Sequence, residues 1–119
     1  MFKKTQFRNE VIDLAHASDF ALGAIKVRPS CREIEHNGNR AILEPRVMQV
    51  LVALVEGDGA VVSREDLVRR CWKGLAVGED AINRCIAKLR RVAEAAGPQS
   101  FKIDTIPRVG YRLSLQVVE

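Results

Sequence analysis

Hydrophobic positions recur along this chain at two spacings, and the change from one to the other divides it. From Phe20 to about Glu44 they come in short runs, "FALGAIKV", "CREIEHNG" and "RAILEP", separated by turn-forming residues. Charged residues flank Ile34 in the second run, and "HNGNR" has the composition of a tight turn. The second and third runs are therefore expected to pair as a hairpin in a small antiparallel sheet. From Pro45 the spacing lengthens to three and four. In "PRVMQVLVALVEGDG", Val47, Val50, Leu51 and Leu54 fall on one helical face. The proline occupies the first turn, where its missing N–H costs nothing, and Gly57 and Gly59 stop the run. A short extended piece then ends at Ser63. Ser63 and Asp66 have the spacing of a capping box, which predicts a second helix from Arg64 to about Trp72 with Leu67, Val68 and Cys71 on one face.

The loop "KGLAVG" precedes a third helix, from about Glu79 to Ala96, which stops at "GP". Two alternating segments close the chain, "FKIDTI" and "YRLSLQVV", joined by "PRVG" as a second hairpin. The expected class is α+β: a sheet platform over residues 20–44, then three helices and a hairpin over 45–119. At 119 residues the chain suits one domain of this kind, residues 20–119. Residues 1–19 are set apart as an arm of uncertain order. Its "FRNEVIDLAHA" reads either as a short amphipathic helix or as a loose segment dispensable for the domain's activity.

Composition narrows the chemistry. Hydrophobic residues make up 47% and charged residues 29% of the chain, the mix of a globular domain large enough to hold a core without disulfides or metal. Cys31, Cys71 and Cys85 form no CxxC pair and are expected to be reduced, buried or half-buried thiols of a cytoplasmic protein. With only His16 and His36 they make no zinc site. No apolar run reaches the length of a membrane span, and "MFKKTQFRNE" lacks the apolar stretch of a secretory signal. Adjacent Glu65 and Asp66 suit the N-terminal dipole of the second helix better than a metal site. Ser63 with either histidine gives no triad, so no enzyme, cofactor or metal is expected. The net charge of +4 is modest, and its placement matters more than its sum.

That placement is concentrated in "AINRCIAKLRR". On a wheel of about 100° per residue, Ile82, Cys85, Ile86, Leu89 and Ala93 gather on one face. Asp80, Arg84, Ala87 and Arg91 face the other way, with Asn83, Lys88 and Arg90 on the flanks. Among the cations only Arg84 has an acid four residues before it, so helical pairing does not offset the charge. A helix of this kind fits the major groove of DNA, where Arg, Lys and Asn read base edges. Helix–turn–helix followed by a hairpin with Arg108 near its tip is a winged helix-turn-helix arrangement.

The segments "LEPRVMQVLVALVEGDGAVVSREDLVRRCW", "INRCIAKLRRV" and "IDTIPRVGYRL" together resemble the OmpR/PhoB-type winged-helix transcription-factor domain, within it the ToxR/CadC-like branch. The resemblance runs from about Leu22 to Leu115. It implies a bacterial, DNA-binding transcription regulator with a four-stranded N-terminal sheet, three helices and a C-terminal wing. By position, Arg84, Ala87, Lys88 and Arg90 match groove-facing and phosphate-binding sites, Thr105 a phosphate contact and Arg108 the wing tip. Asn83 and Arg91 complete the DNA-binding set, and Lys88 is expected to reach base edges. The resemblance also implies tandem repeat sites on double-stranded DNA, a monomer that pairs there, and contact with RNA polymerase through the Trp72–Gly78 loop. Relatives add a receiver domain, or a membrane span and sensor. The 119 residues match the effector part, as an excised domain or a stand-alone regulator.

The rival reading is a winged-helix interaction module whose basic face docks an acidic protein. Trp72 and Tyr111 are read as packing residues, the latter against the third helix, and Gly110 as serving its turn.

Overall fold

Four short strands form the N-terminal layer: β1 (Phe20–Leu22), β2 (Ile25–Arg28), β3 (Glu33–His36) and β4 (Asn39–Ile42), an antiparallel meander in that order. The computed structural model describes residues 10–116. The first apolar run is thus two strands, not one. The chain reverses at Gly23, whose φ is +62° and where a Cβ would come within 2.4 Å of the Gln99 carbonyl oxygen. Ala24 N–H donates to that same carbonyl at 2.8 Å, which ties the platform to the far end of the domain. The turn between β3 and β4 takes positive φ at both Asn37 and Gly38, the pattern that Asn-Gly hairpins favour. Cys31 falls outside the strands, in a 3-10 turn over Pro29–Cys31, and its side chain is exposed rather than buried.

The strand register separates two faces. Phe20 opposes Val27, Leu22 opposes Ile25, and Val27 opposes Ile34; these residues pack on the core. On the opposite face Arg28 pairs with Glu33 and Glu35 at 2.9 and 3.1 Å, and Arg40 reaches the same two carboxylates at 3.5 and 3.7 Å.

Helix α1 (Pro45–Glu56) is the centre of the domain. Val47, Met48, Val50, Leu51, Val52, Ala53 and Leu54 are all buried, more than a single stripe, because the platform and the other helices enclose it. β5 (Val62–Ser63) leads into α2 (Arg64–Cys71), where Ser63 Oγ accepts the Asp66 N–H at 3.0 Å. Asp66 does not return the bond as a reciprocal capping box would. Its carboxylate accepts from Arg69 instead. Helix α3 (Glu79–Ala96) ends at Gly97, whose φ is +84°.

β6 (Phe101–Ile106) and β7 (Gly110–Leu115) make the C-terminal hairpin, and β5 adds to it as a third strand in the order β5-β7-β6. Gly110 serves that junction as well as the turn. It opposes Ser63, and a Cβ there would lie 2.1 Å from the Val62 carbonyl oxygen.

The arm is partly structural. Ile12 is only 5% exposed; its N–H donates to the Arg70 carbonyl, and its own carbonyl accepts from Gln49 Nε2. Arg70, buried beside it, donates to the Glu10 carbonyl through Nε and to Glu56 at 2.6 Å through Nη2. Residues 14–16 form a single 3-10 turn, capped by Asp13, in place of an amphipathic helix. The remainder of that expectation lies outside the described residues.

Candidate nucleic-acid interface

Helix α3 buries Ile82, Cys85, Ile86, Leu89 and Ala93, the residues its wheel assigns to the core. The opposite surface sorts into three strips with different fates. Arg84, Ala87 and Arg91 run along the centre, exposed, and neither arginine has an ion-pair or hydrogen-bond partner among the described residues.

The strip toward the hairpin is tied down. Tyr111, 2% exposed on β7, donates its hydroxyl to Asn83 Oδ1 at 3.0 Å. Arg90 donates twice to the Ile103 carbonyl on β6, from Nε at 3.1 Å and Nη2 at 2.7 Å, and once more to Thr105 Oγ1 at 2.9 Å. Arg90 and Thr105 are therefore partners of each other, and together they fasten α3 to the C-terminal hairpin. The strip toward α1 holds Lys88, whose ammonium lies 3.0 Å from Glu44 Oε2. A hydrogen bond from Lys88, then the lysine's charge, hold the Glu44 carboxyl below the usual carboxylate range. Part of the charge compensation missing within α3 is thus supplied by Glu44 at the N-cap of α1, whereas the acceptors of Arg90 on β6 are neutral.

Arg108 stands exposed in the turn between β6 and β7, with φ at +66°, a left-handed conformation unusual for a non-glycine residue. Behind it Val109 N–H closes the turn on the Ile106 carbonyl at 2.9 Å. Arg112 pairs with Asp104 across the hairpin at 3.2 Å.

Three residues of this surface escaped the sequence reading. Arg46 lies over the Trp72 ring at 5.1 Å from its centroid, which leaves Trp72 half-buried as a packing residue. Arg64 lies over the Tyr111 ring at 5.6 Å, with Nε 3.3 Å from Glu79. Glu44 completes the set, while Tyr111, expected to pack on α3, does so and adds its hydroxyl bond to Asn83. Each partner lies on another element, so no local spacing could have signalled the contact. A cleft of about 200 Å³ opens between the start of α1, Trp72 and the first turns of α3, lined by Glu44, Arg46, Arg84 and Lys88. Among the described residues no helix is long and apolar enough to cross a membrane.

The sequence and the fold can both be set beside known proteins. The family described as "Transcriptional regulatory protein, C terminal" matches residues 38–113, which span β4 through most of the C-terminal hairpin. The chain belongs to this family. In this family member the fold is the winged helix-turn-helix, with α2 and α3 as the helix pair and β6–β7 as the wing. The transcriptional activator CadC of Escherichia coli is 33% identical over 98 residues, 82% of this chain and 19% of that protein. The chain thus spans less than a fifth of that relative's length. The structure of the DNA-binding domain of E. coli CadC superposes with a TM-score of 0.70, covering 82% of this chain and 92% of that one. The DNA-binding domain of E. coli CpxR shares the fold at 24% identity, with a TM-score of 0.72 over 85% of this chain and all of that one.

Proposed function

We propose that this domain binds double-stranded DNA sequence-specifically, as the effector part of a bacterial transcription regulator acting in the cytoplasm. Helix α3 lies in the major groove and presents Arg84, Ala87 and Arg91 to base edges and flanking phosphates. The hairpin carries Arg108 to the adjacent minor groove, where a guanidinium senses charge and width. Lys88, Asn83, Arg90 and Thr105, all nominated from the sequence, take supporting places: they set the pose of α3 rather than read the operator alone. The observation that carries the reading is the central strip of α3, two arginines without a partner among the described residues on a helix whose flanks are tied to the fold. Free cations on a rigid element favour a polyanion of fixed shape.

Two copies occupy tandem repeats, each a monomer in the absence of DNA. The Trp72–Gly78 loop is available for RNA polymerase: Leu75 is 67% exposed there, beside Lys73 and Gly74 in left-handed conformations. The test is a mobility shift on random and selected duplexes across a salt series. Binding that is salt-dependent and tighter on selected DNA supports the reading. Equal and weak binding to both duplexes, with tight binding to an acidic protein surface, favours the interaction module instead.

A further inference from the structure

Glu44 is the residue before Pro45 and takes the N-cap position of α1, yet its side chain caps nothing there. The helix dipole alone would favour a carboxylate at that point. Instead the side chain reaches across to α3 and meets Lys88 at 3.0 Å. Glu44 is the one acid lining the cleft that Arg46, Arg84 and Lys88 otherwise make cationic. The side chains of Lys88 and Glu44 are 33% and 62% exposed, so the pair sits at the surface, beside the strip that faces DNA. The carboxyl is ionised throughout the neutral range, since Lys88 and then Arg84 hold its pKa down.

We propose that Glu44 is an affinity-limiting residue: it acts as the built-in counterion of Lys88 and keeps that cation off the phosphate backbone. This rests on the DNA-binding reading above. Sequence-independent affinity for DNA comes from protein cations that neutralise phosphates and release the ions condensed there. A lysine already neutralised by a fixed carboxylate releases none. The carboxylate also adds like-charge repulsion toward a backbone running along this flank. The result is a recognition helix whose electrostatic attraction rests on its arginines, with the charge of Lys88 offset. Trimming matters because the genome offers a vast excess of non-specific sites, which compete for any regulator that binds phosphate indiscriminately.

The test uses the full chain as wild type, Glu44→Gln, Lys88→Gln and the double variant. Affinity for a random-sequence duplex is measured across a salt series, with thermal unfolding recorded in parallel to show that each variant is folded. Glu44→Gln is expected to tighten binding at low salt and steepen the slope of log K against log salt by about one unit. Lys88→Gln is expected to weaken binding by leaving Glu44 unpaired, and the double variant to return to wild-type affinity and slope. The inference is overturned if Glu44→Gln changes nothing and the double variant matches Lys88→Gln, both with slopes about one unit shallower than wild type. Lys88 would then be a phosphate contact that leaves Glu44 on binding. If the wild-type chain binds no duplex at all, the DNA-binding reading itself fails and takes this inference with it.

Discussion

The hydroxyl of Tyr111 donates to Asn83 Oδ1 at 3.0 Å, joining the second strand of the wing to the second turn of the recognition helix. This bond orients the Asn83 amide so that its N–H₂ group is directed away from the tyrosine. Bidentate recognition of adenine needs both the amide oxygen and nitrogen. With the oxygen engaged internally, Asn83 is better suited to donating to a phosphate or a base acceptor.

The bond should be measurable as a coupling. Tyr111→Phe, Asn83→Ala and the double variant, unfolded in urea, are expected to give a coupling energy of about 1 kcal/mol, the usual net worth of an intramolecular hydrogen bond. Additive single effects would mean that the hydroxyl and the amide do not act together. Tyr111→Phe keeps the ring and its packing against Arg64, so its cost belongs to the hydroxyl.

Arginines on α3 should separate by role. Arg90→Ala removes three hydrogen bonds from a charged donor and leaves the Ile103 carbonyl without that partner. The expected loss of stability is about 2 kcal/mol or more. Arg84→Ala and Arg91→Ala remove side chains with no partner among the described residues and should change stability by no more than about 0.5 kcal/mol. Their effect should appear in DNA affinity, with a shallower salt dependence for each. Unfolding curves and binding isotherms on the same three variants check both statements.

A chain shortened to begin at Asp19 should be destabilised. It loses Ile12, whose burial is worth about 1.5–3 kcal/mol, and the carbonyl of Glu10 that receives Arg70 Nε. Arg70 keeps Glu56 but becomes more open to water on one side. The expected result is a lower melting temperature with the winged-helix fold retained. An unchanged melting temperature would show that residues 10–17 only lie on the surface.

The cysteines should differ in reactivity. Burial pushes the Cys71 thiol up to about 12 and raises that of Cys85, whereas Cys31 is exposed. Burial thus keeps both of these thiols less ionised than a free cysteine, and the thiolate is the species that attacks a disulfide reagent. One thiol per chain should react quickly under native conditions and three after denaturation. Replacing Cys31 with Ser should abolish the fast phase, since Cys71 and Cys85 behave as small core residues.

Local regularities were legible in the chain. The core faces of α1 and α3, the Asn37–Gly38 turn and the alternation of β6 and β7 follow from helical and strand periods and from turn chemistry, and these act between neighbours. They sufficed for the fold class and for the position of a cationic helix. The split of the first strand at Gly23 was less plain, because the constraint there comes from the Gln99 carbonyl across the domain. The docking of Ile12 had the same origin, in Arg70 and Gln49 of the two helices it meets.

The candidate site shows the division most clearly. Its cations could be counted and placed on a wheel, which identified Arg84 and Arg91 together with Lys88 and Arg90 as one basic surface. Their division into free and committed groups depends on Glu44, Ile103, Thr105 and Tyr111, which folding brings to the flanks of α3 from α1, β6 and β7. A charge is available to a ligand only to the extent that nothing in its own fold has already neutralised it or bonded to it. That balance is set by distances of a few ångströms between residues far apart in the chain, and no periodicity along the chain encodes it.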